Sequence, residues 1–250
     1  MKTWTLLLCE GAHDQAALLG WLCASGWNQQ RGAPSSLPET MQKGYPKPKE
    51  VGGKVRTEKA PDYVHRQDAW IEIRSLGGVT NVLGDAARIY LDVVKDDIHG
   101  VGFFVDADDL GSAMRQQAFR EAFRTMFAHA VRVQSGEAVD GPPKLGLWVA
   151  PDNRRLGTLS ELLVESFRLA TPAILSAAET FATSVEQQLG NMASEKRLKL
   201  VLGTAGQVDA PSEALSSALR QGTWAKPGCG SIAAVQEMIA FIERLVAWSV

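Results

Sequence analysis

The sequence predicts an α/β protein: a mostly parallel central sheet flanked by helices, with a helical C-terminal part. Three observations predict it. Short apolar runs of strand length recur at Thr3–Leu8, Gly100–Val105 and Lys144–Ala150, the pattern of strands covered on both faces. Segments with helical spacing of apolar residues lie between them, as crossover connections require. Beyond Gly157 the pattern is helical almost throughout. A chain of 250 residues is long enough for one sizeable core, here read as an α/β core at 1–156 and a helical region at 157–250 packed on it.

The elements follow in order. Thr3–Leu8 is the first central strand, Glu10-Gly11 a turn, and Asp14–Ala24 a largely buried helix with a carboxylate near its start, where the helix dipole favours it. The stretch 28–67 is rich in Pro, Gly, Lys and Ser and lacks either periodicity, so it reads as a long insertion without elements. From Lys43 to Arg66 it holds seven basic residues against Glu50, Glu58 and Asp62. That is either a solvated loop or an arm for phosphates, with Lys54 and Arg56 as contacts. Ala69–Ser75 alternates like a strand, and Gly77-Gly78 breaks it. Thr80–Lys95 is a helix with Val82, Leu83, Ala86, Ile89, Tyr90, Val93 and Val94 on one side. After Gly100–Val105, Ser112–Ala130 is a helix with a basic and polar face: Arg115, Gln116, Arg120 and Arg124. Lys144–Ala150 ends in Pro151-Asp152-Asn153. The C-terminal helices are Leu159–Leu169, Ala173–Leu189, Glu195–Leu202, Ser212–Leu219 and Ile232–Trp248.

Composition narrows the function classes. The net charge of -2 argues against a broadly basic nucleic-acid coat, while leaving room for a local basic groove. Three cysteines without a CxxC pair make a poor disulfide framework and suit a reducing cytoplasm. The start resembles a lipoprotein signal, but its apolar run is short and Glu10 follows at once, so it reads as a strand. No stretch approaches the ~20 apolar residues of a membrane span.

The chemistry lies in acidic residues after strands. Glu10 follows the first strand; Asp106, Asp108 and Asp109 follow Gly100–Val105; Asp152 follows Lys144–Ala150. In a parallel sheet the carboxyl ends of the strands line one crevice, so these residues meet although distant in sequence. Carboxylates brought together repel unless a cation neutralises them. Hard oxygen ligands suit Mg²⁺ or Mn²⁺ rather than zinc. Gly11 lets backbone approach a ligand closely. The competing reading is that Asp108 or Asp109 caps the following helix. His13, His65, His99 and His129 are scattered, and His13 alone sits beside the proposed site.

Three segments together resemble the Toprim domain of topoisomerases, bacterial primases and nucleases of the overcoming-lysogenization-defect type. They are Leu8-Cys9-Glu10-Gly11 with Asp14, Gly102-Phe103-Phe104-Val105-Asp106-Ala107-Asp108-Asp109, and Gly146-Leu147-Trp148-Val149-Ala150-Pro151-Asp152-Asn153. They look like an uncharacterised bacterial Toprim-related family, and a Glu195-Lys196 pair near the C-terminal helices is also similar. In that family a glycine and a leucine-acid pair follow the Pro-Asp-Asn turn. Here Gly157-Thr158-Leu159 is followed by Ser160 and then Glu161, so no metal role carries over to Glu161. The resemblance implies a Toprim/Rossmann-like sheet and a divalent metal held by Glu10, Asp106 and Asp108, with Asp14, Asp109 and Asp152 as further candidates. It implies a nuclease cutting DNA or RNA, with the glutamate serving also as general acid or base. The loop at 28–67 lies outside the resemblance; its basic residues, Lys54 and Arg56 among them, and the Arg115, Arg120 and Arg124 face would hold the phosphate backbone. A topoisomerase is argued against by length, since no separate domain bears an attacking tyrosine, and a primase by the lack of a zinc module. By analogy with antiphage systems, the alternative is a noncatalytic or latent subunit that binds an ABC-type ATPase. The chain has no GxxxxGK[ST] loop, so that ATPase would be another protein.

Overall fold

The computed structural model describes residues 3–30, 35, 37–43, 49–51, 54–56, 60–209, 211, 213–221, 224–225 and 230–247, of which 43, 49–51, 54–56 and 209 by backbone alone. Four parallel strands form the centre of a seven-stranded sheet: β1 (Thr3–Cys9), β6 (Ala69–Ser75), β7 (Gly100–Asp106) and β9 (Lys144–Ala150). Antiparallel strands β2 (Asn28–Gln30), β5 (Asp62–Arg66) and β8 (Ala138–Val139) complete it, in the order β2-β5-β6-β1-β7-β9-β8. The predicted fold class holds.

The insertion at 28–67 is not without elements, contrary to the expectation from composition. It supplies β2 and β5, which extend the main sheet beside β6, and a small hairpin of β3 (Lys49–Val51) and β4 (Lys54–Arg56). A two-residue turn joins β5 to β6, with Gln67 at φ 54°. β5 sends Val64 to one core and Tyr63 to the other, and a single buried apolar residue on each face leaves no legible apolar run in the sequence. A five-residue helix, α2 (Glu39–Lys43), lies between β2 and β3.

Alternation along each central strand feeds two cores. On one face, Leu7, Cys9, Ile71, Ile73, Phe104 and Trp148 pack with α1 (Ala12–Ala24) and the C-terminal helices. On the other, Leu6, Leu8, Val101, Phe103, Val105, Leu147 and Val149 meet residues of α3 (Val79–Val82), α4 (Asp85–Val94) and α5 (Gly111–Phe123). The helix predicted over Thr80–Lys95 is two, because the chain turns at Leu83-Gly84. A Cβ at Gly84 would collide with the Thr80 carbonyl. The turn also rotates Ile89 and Val93 out to solvent, against the predicted apolar side. The helix predicted to reach Ala130 stops at Phe123, and a 3₁₀ turn follows at Ala128–Arg132.

The C-terminal half is helical as expected: α6 (Leu159–Ala170), α7 (Pro172–Leu189), α8 (Ser194–Asp209), α9 (Leu215–Gln221) and α10 (Ala233–Val246). Among the described residues it forms no core of its own. Leu162, Phe167, Leu202, Trp224, Phe241 and Leu245 belong to the same cluster as Leu7 and Trp21. Close approach of α10 requires the glycines of the sheet face beneath it. A Cβ at Gly102 would stand 2.8 Å from Leu245 Cδ1, and one at Gly146 2.5 Å from Phe241 Cε2. Among the described residues, no helix is long and apolar enough to cross a membrane.

Candidate functional site

The connection from β1 to β6 carries α1 over one face of the sheet, and the connection from β6 to β7 carries α3 and α4 over the other. Strand order therefore reverses at β1. A crevice opens outside the carboxyl ends of β1 and β7, where open α/β sheets bind ligands. Glu10 leaves β1 there, and Asp106 ends β7.

Each carboxylate is anchored by backbone. Glu10 Oε1 accepts the Asp106 N–H at 2.9 Å, tying the two strand ends together. The Glu10 carbonyl accepts the N–H groups of Gly77 and Gly78, both at 2.8 Å, which draws the loop after β6 to the same point. Asp106 Oδ1 accepts the Leu159 N–H at 2.8 Å, so the first turn of α6 is pinned to β7. Asp14 Oδ2 accepts the Gly11 N–H at 2.7 Å, half of a capping box at the start of α1.

Asp108 adopts φ 49°, and its backbone pairs with Gly157: its N–H donates to the Gly157 carbonyl at 2.9 Å. Arg115 braces this loop from below. Its Nε donates to the Asp106 carbonyl at 2.8 Å and its Nη2 to Asp108 Oδ2 at 2.6 Å. Arg115 is buried, so the phosphate contact expected of it gives way to an internal clamp. Neither Asp108 nor Asp109 caps α5: the cap position is Leu110, with no side-chain cap bond.

The resulting cleft, of about 610 Å³, is lined by six acids: Glu10, Asp14, Asp106, Asp108, Asp109 and Glu195. His13, Thr158 and Lys199 also line it. Glu195 and Lys199, one turn apart on α8, form an ion pair at its mouth. In sequence the Glu-Lys similarity falls on Lys196, whereas helical spacing gives the partnership to Lys199. An adjoining recess of about 380 Å³ is shared by Asp108, Asp109, Glu161 and Glu195. Glu161, displaced in sequence, folds over Gly157, at φ 130°, where a Cβ would collide with its carboxylate. The Thr158 hydroxyl oxygen is buried there with no hydrogen-bond partner among the described residues.

Burial and crowding set the protonation of the cluster. Desolvation, then the Asp14 charge, pushes Asp106 up to about 8, against the opposing bond from Leu159. Desolvation raises Asp14 to about 6 despite the Gly11 N–H. Glu10 is raised too, by burial first and by Asp14 and Asp108. Such shifts mark carboxylates without sufficient counter-charge.

Asp152 lies outside this cleft. Its Oδ1 accepts the backbone N–H groups of Arg154 and Arg155, and its Oδ2 the Arg155 Nε at 2.7 Å. These donors hold it below the usual carboxylate range, and it works as the hinge of a turn. Lys54 and Arg56 fall in β4, where the side chains are outside the described residues.

Among the described residues, no three His, Cys, Asp or Glu side chains close into a metal cage. The donor set nonetheless fits a hard divalent cation in the form Mg²⁺ usually takes, with one or two carboxylates, retained waters and substrate phosphate oxygens. Glu10 and Asp106 each keep an oxygen not committed to the backbone bonds described.

Residues 5–247 match the model of a family described as "Protein of unknown function (DUF3226)". No curated protein matches the sequence. A crystal structure of a hypothetical protein from Pyrococcus horikoshii OT3 is similar in fold, with a TM-score of 0.55 at 16% identity, covering 97% of this chain and 95% of that one. The chain belongs to the DUF3226 family of proteins of unknown function.

Proposed function

We propose that this chain is a divalent-metal-dependent phosphodiesterase of Toprim type that hydrolyses DNA or RNA, with Glu10, Asp106 and Asp108 at its centre. One observation carries the reading: buried, under-neutralised carboxylates converge at the sheet's switch point, in an open cleft. Mg²⁺ or Mn²⁺ bound there would activate a water and offset charge on the phosphate. Without a cation, Asp106 keeps its proton at neutral pH; a cation favours the ionised, ligating form. Asp14 loses its proton near pH 6 and adds negative potential beside Asp106. Arg115 holds Asp106 and Asp108 in fixed relation through the loop between them. Lys199, which lines the same cleft paired with Glu195, would exchange that partner for a phosphate oxygen.

The test is cleavage of plasmid, single-stranded DNA and tRNA with Mg²⁺ or Mn²⁺. Glu10→Gln and Asp106→Asn are expected to lower the rate by about 10²–10⁴, the worth of a positioned acid-base or charge-stabilising group. Cutting that persists in chelator, or at the original rate in either variant, overturns the reading.

A second reading is favoured by apolar side chains exposed on the helical half, Phe181 and Leu189 on α7 and Val208 on α8. In it the chain is a noncatalytic subunit of an antiphage assembly, bound to an ABC-type ATPase. Absence of cutting, together with recovery of a P-loop ATPase on the tagged protein from its native host, would favour it.

A further inference from the structure

The acidic cleft alone is a poor host for a polyanion: six carboxylates face one lysine and His13. A second, wider groove lies immediately beside it. Its volume is about 810 Å³, and its walls include Leu110, Ser112, Gln116, Gln117, Arg120 and Arg154, with no acidic residue among those described. The two are contiguous through the chain, since Asp108-Asp109 line the cleft and Leu110-Gly111 begin the groove. Leu156, from the recess adjoining the cleft, forms a ridge against Gly111 of the groove: a Cβ at Gly111 would stand 3.3 Å from Leu156 Cδ2.

We propose that this groove carries the phosphodiester backbone of a single-stranded nucleic acid whose scissile phosphate lies in the acidic cleft; the proposal rests on the phosphodiesterase reading above. Two guanidiniums supply the charge. Arg120 is fixed at the wall by donating its Nε to the Val133 carbonyl at 3.0 Å. Arg154 is 72% exposed along its side chain, which a 3.3 Å surface pair with Glu237 holds, an interaction worth little in water and easily exchanged for a phosphate. The ridge the strand must cross is apolar and open. Leu110 and Leu156 are 57% and 59% exposed, and Met114, one turn along α5, is 53%. Unpaired bases and sugars present apolar faces to such a ridge, whereas a duplex keeps its bases stacked inside.

The experiment measures binding of fluorescein-labelled oligodeoxynucleotides and oligoribonucleotides, single-stranded and duplex, to the full chain. Calcium replaces magnesium, and binding is followed by anisotropy across a salt series. Arg154→Glu and Gln117→Glu, both at exposed positions, are compared with Arg168→Glu at the far end of α6. Expected is single-strand binding weakened at least about fivefold by each groove variant. The salt slope should be shallower by about 0.7 once position 154 no longer neutralises a phosphate, and Arg168→Glu should match the wild type. The DNA and RNA arms decide which strand is held. Wild-type protein that binds no oligonucleotide, groove variants that bind as the wild type does, or tighter binding of duplex would each overturn the groove. Its fate is separable from that of the phosphodiesterase reading: cutting that survives with binding unaltered in the groove variants sinks the groove alone, and groove-dependent binding without cutting sinks the nuclease alone.

Discussion

At the residue scale, Asp106 concentrates the electrostatic strain of the site. Its carboxyl is pushed up to about 8 by burial and neighbouring charge, against an unfolded value near 3.9. The folded state therefore binds more protons than the unfolded state between these values. By linkage, stability falls as pH rises through that window. Melting temperature in chelator should accordingly drop from about pH 4 to about pH 8. Asp106→Asn should flatten that slope and raise the melting temperature at about pH 8 by roughly 2–4 °C per kcal/mol recovered. Saturating Mn²⁺ should do the same for the wild type, by about 2.7 kcal/mol at a hundredfold excess over Kd. Differential scanning fluorimetry across this pH range checks all of this. A variant less stable than the wild type at the alkaline end would show that Asp106 serves mainly to pin Leu159.

At the scale of elements, the site depends on where three turns are held. The end of β1, the loop after β7 and the first turn of α6 are joined by the Glu10–Asp106, Asp106–Leu159 and Asp108–Gly157 bonds. The sheet beneath them is backed by α10, seated on glycines of β7 and β9. Gly146→Ala places a methyl into the Phe241 ring, and overpacking of this kind costs about 1–3 kcal/mol. Urea denaturation should show the midpoint falling with an unchanged m-value, while the metal binding proposed for the acidic cleft should be little affected. A neutral outcome would mean that α10 can withdraw at no cost. Elements built on apolar periodicity were legible in sequence: β6 and β9 begin and end where alternation and apolar runs placed them. β5 and β8 were not, because strands at or near a sheet edge draw their order from a neighbour's backbone rather than from their own pattern.

At the scale of the molecule, the helical half is a layer of the fold rather than an appendage. One face of the sheet is covered by α1 together with helices from beyond residue 157. A fragment 1–156 would expose Phe104, Trp148 and Leu7 to water and is expected to aggregate or remain unfolded, whereas the full chain should unfold in one cooperative step. Circular dichroism and gel filtration of both would decide it; a soluble, cooperatively melting fragment would make the N-terminal part independent. Sequence alone determined the fold class and the central strands, and marked Glu10, Asp106 and Asp108 as acids that follow strands, because burial on both faces and turns at strand ends leave local signatures. Only the tertiary structure decided which acids meet. It turned Asp152 into a turn hinge, drew Arg115 inward as a clamp, and brought Asp14, Thr158, Glu161, Glu195 and Lys199 to the cleft and its recess. Those assignments depend on strand order and on helices packed from far along the chain, and no local pattern encodes the direction in which a distant helix presents a side chain.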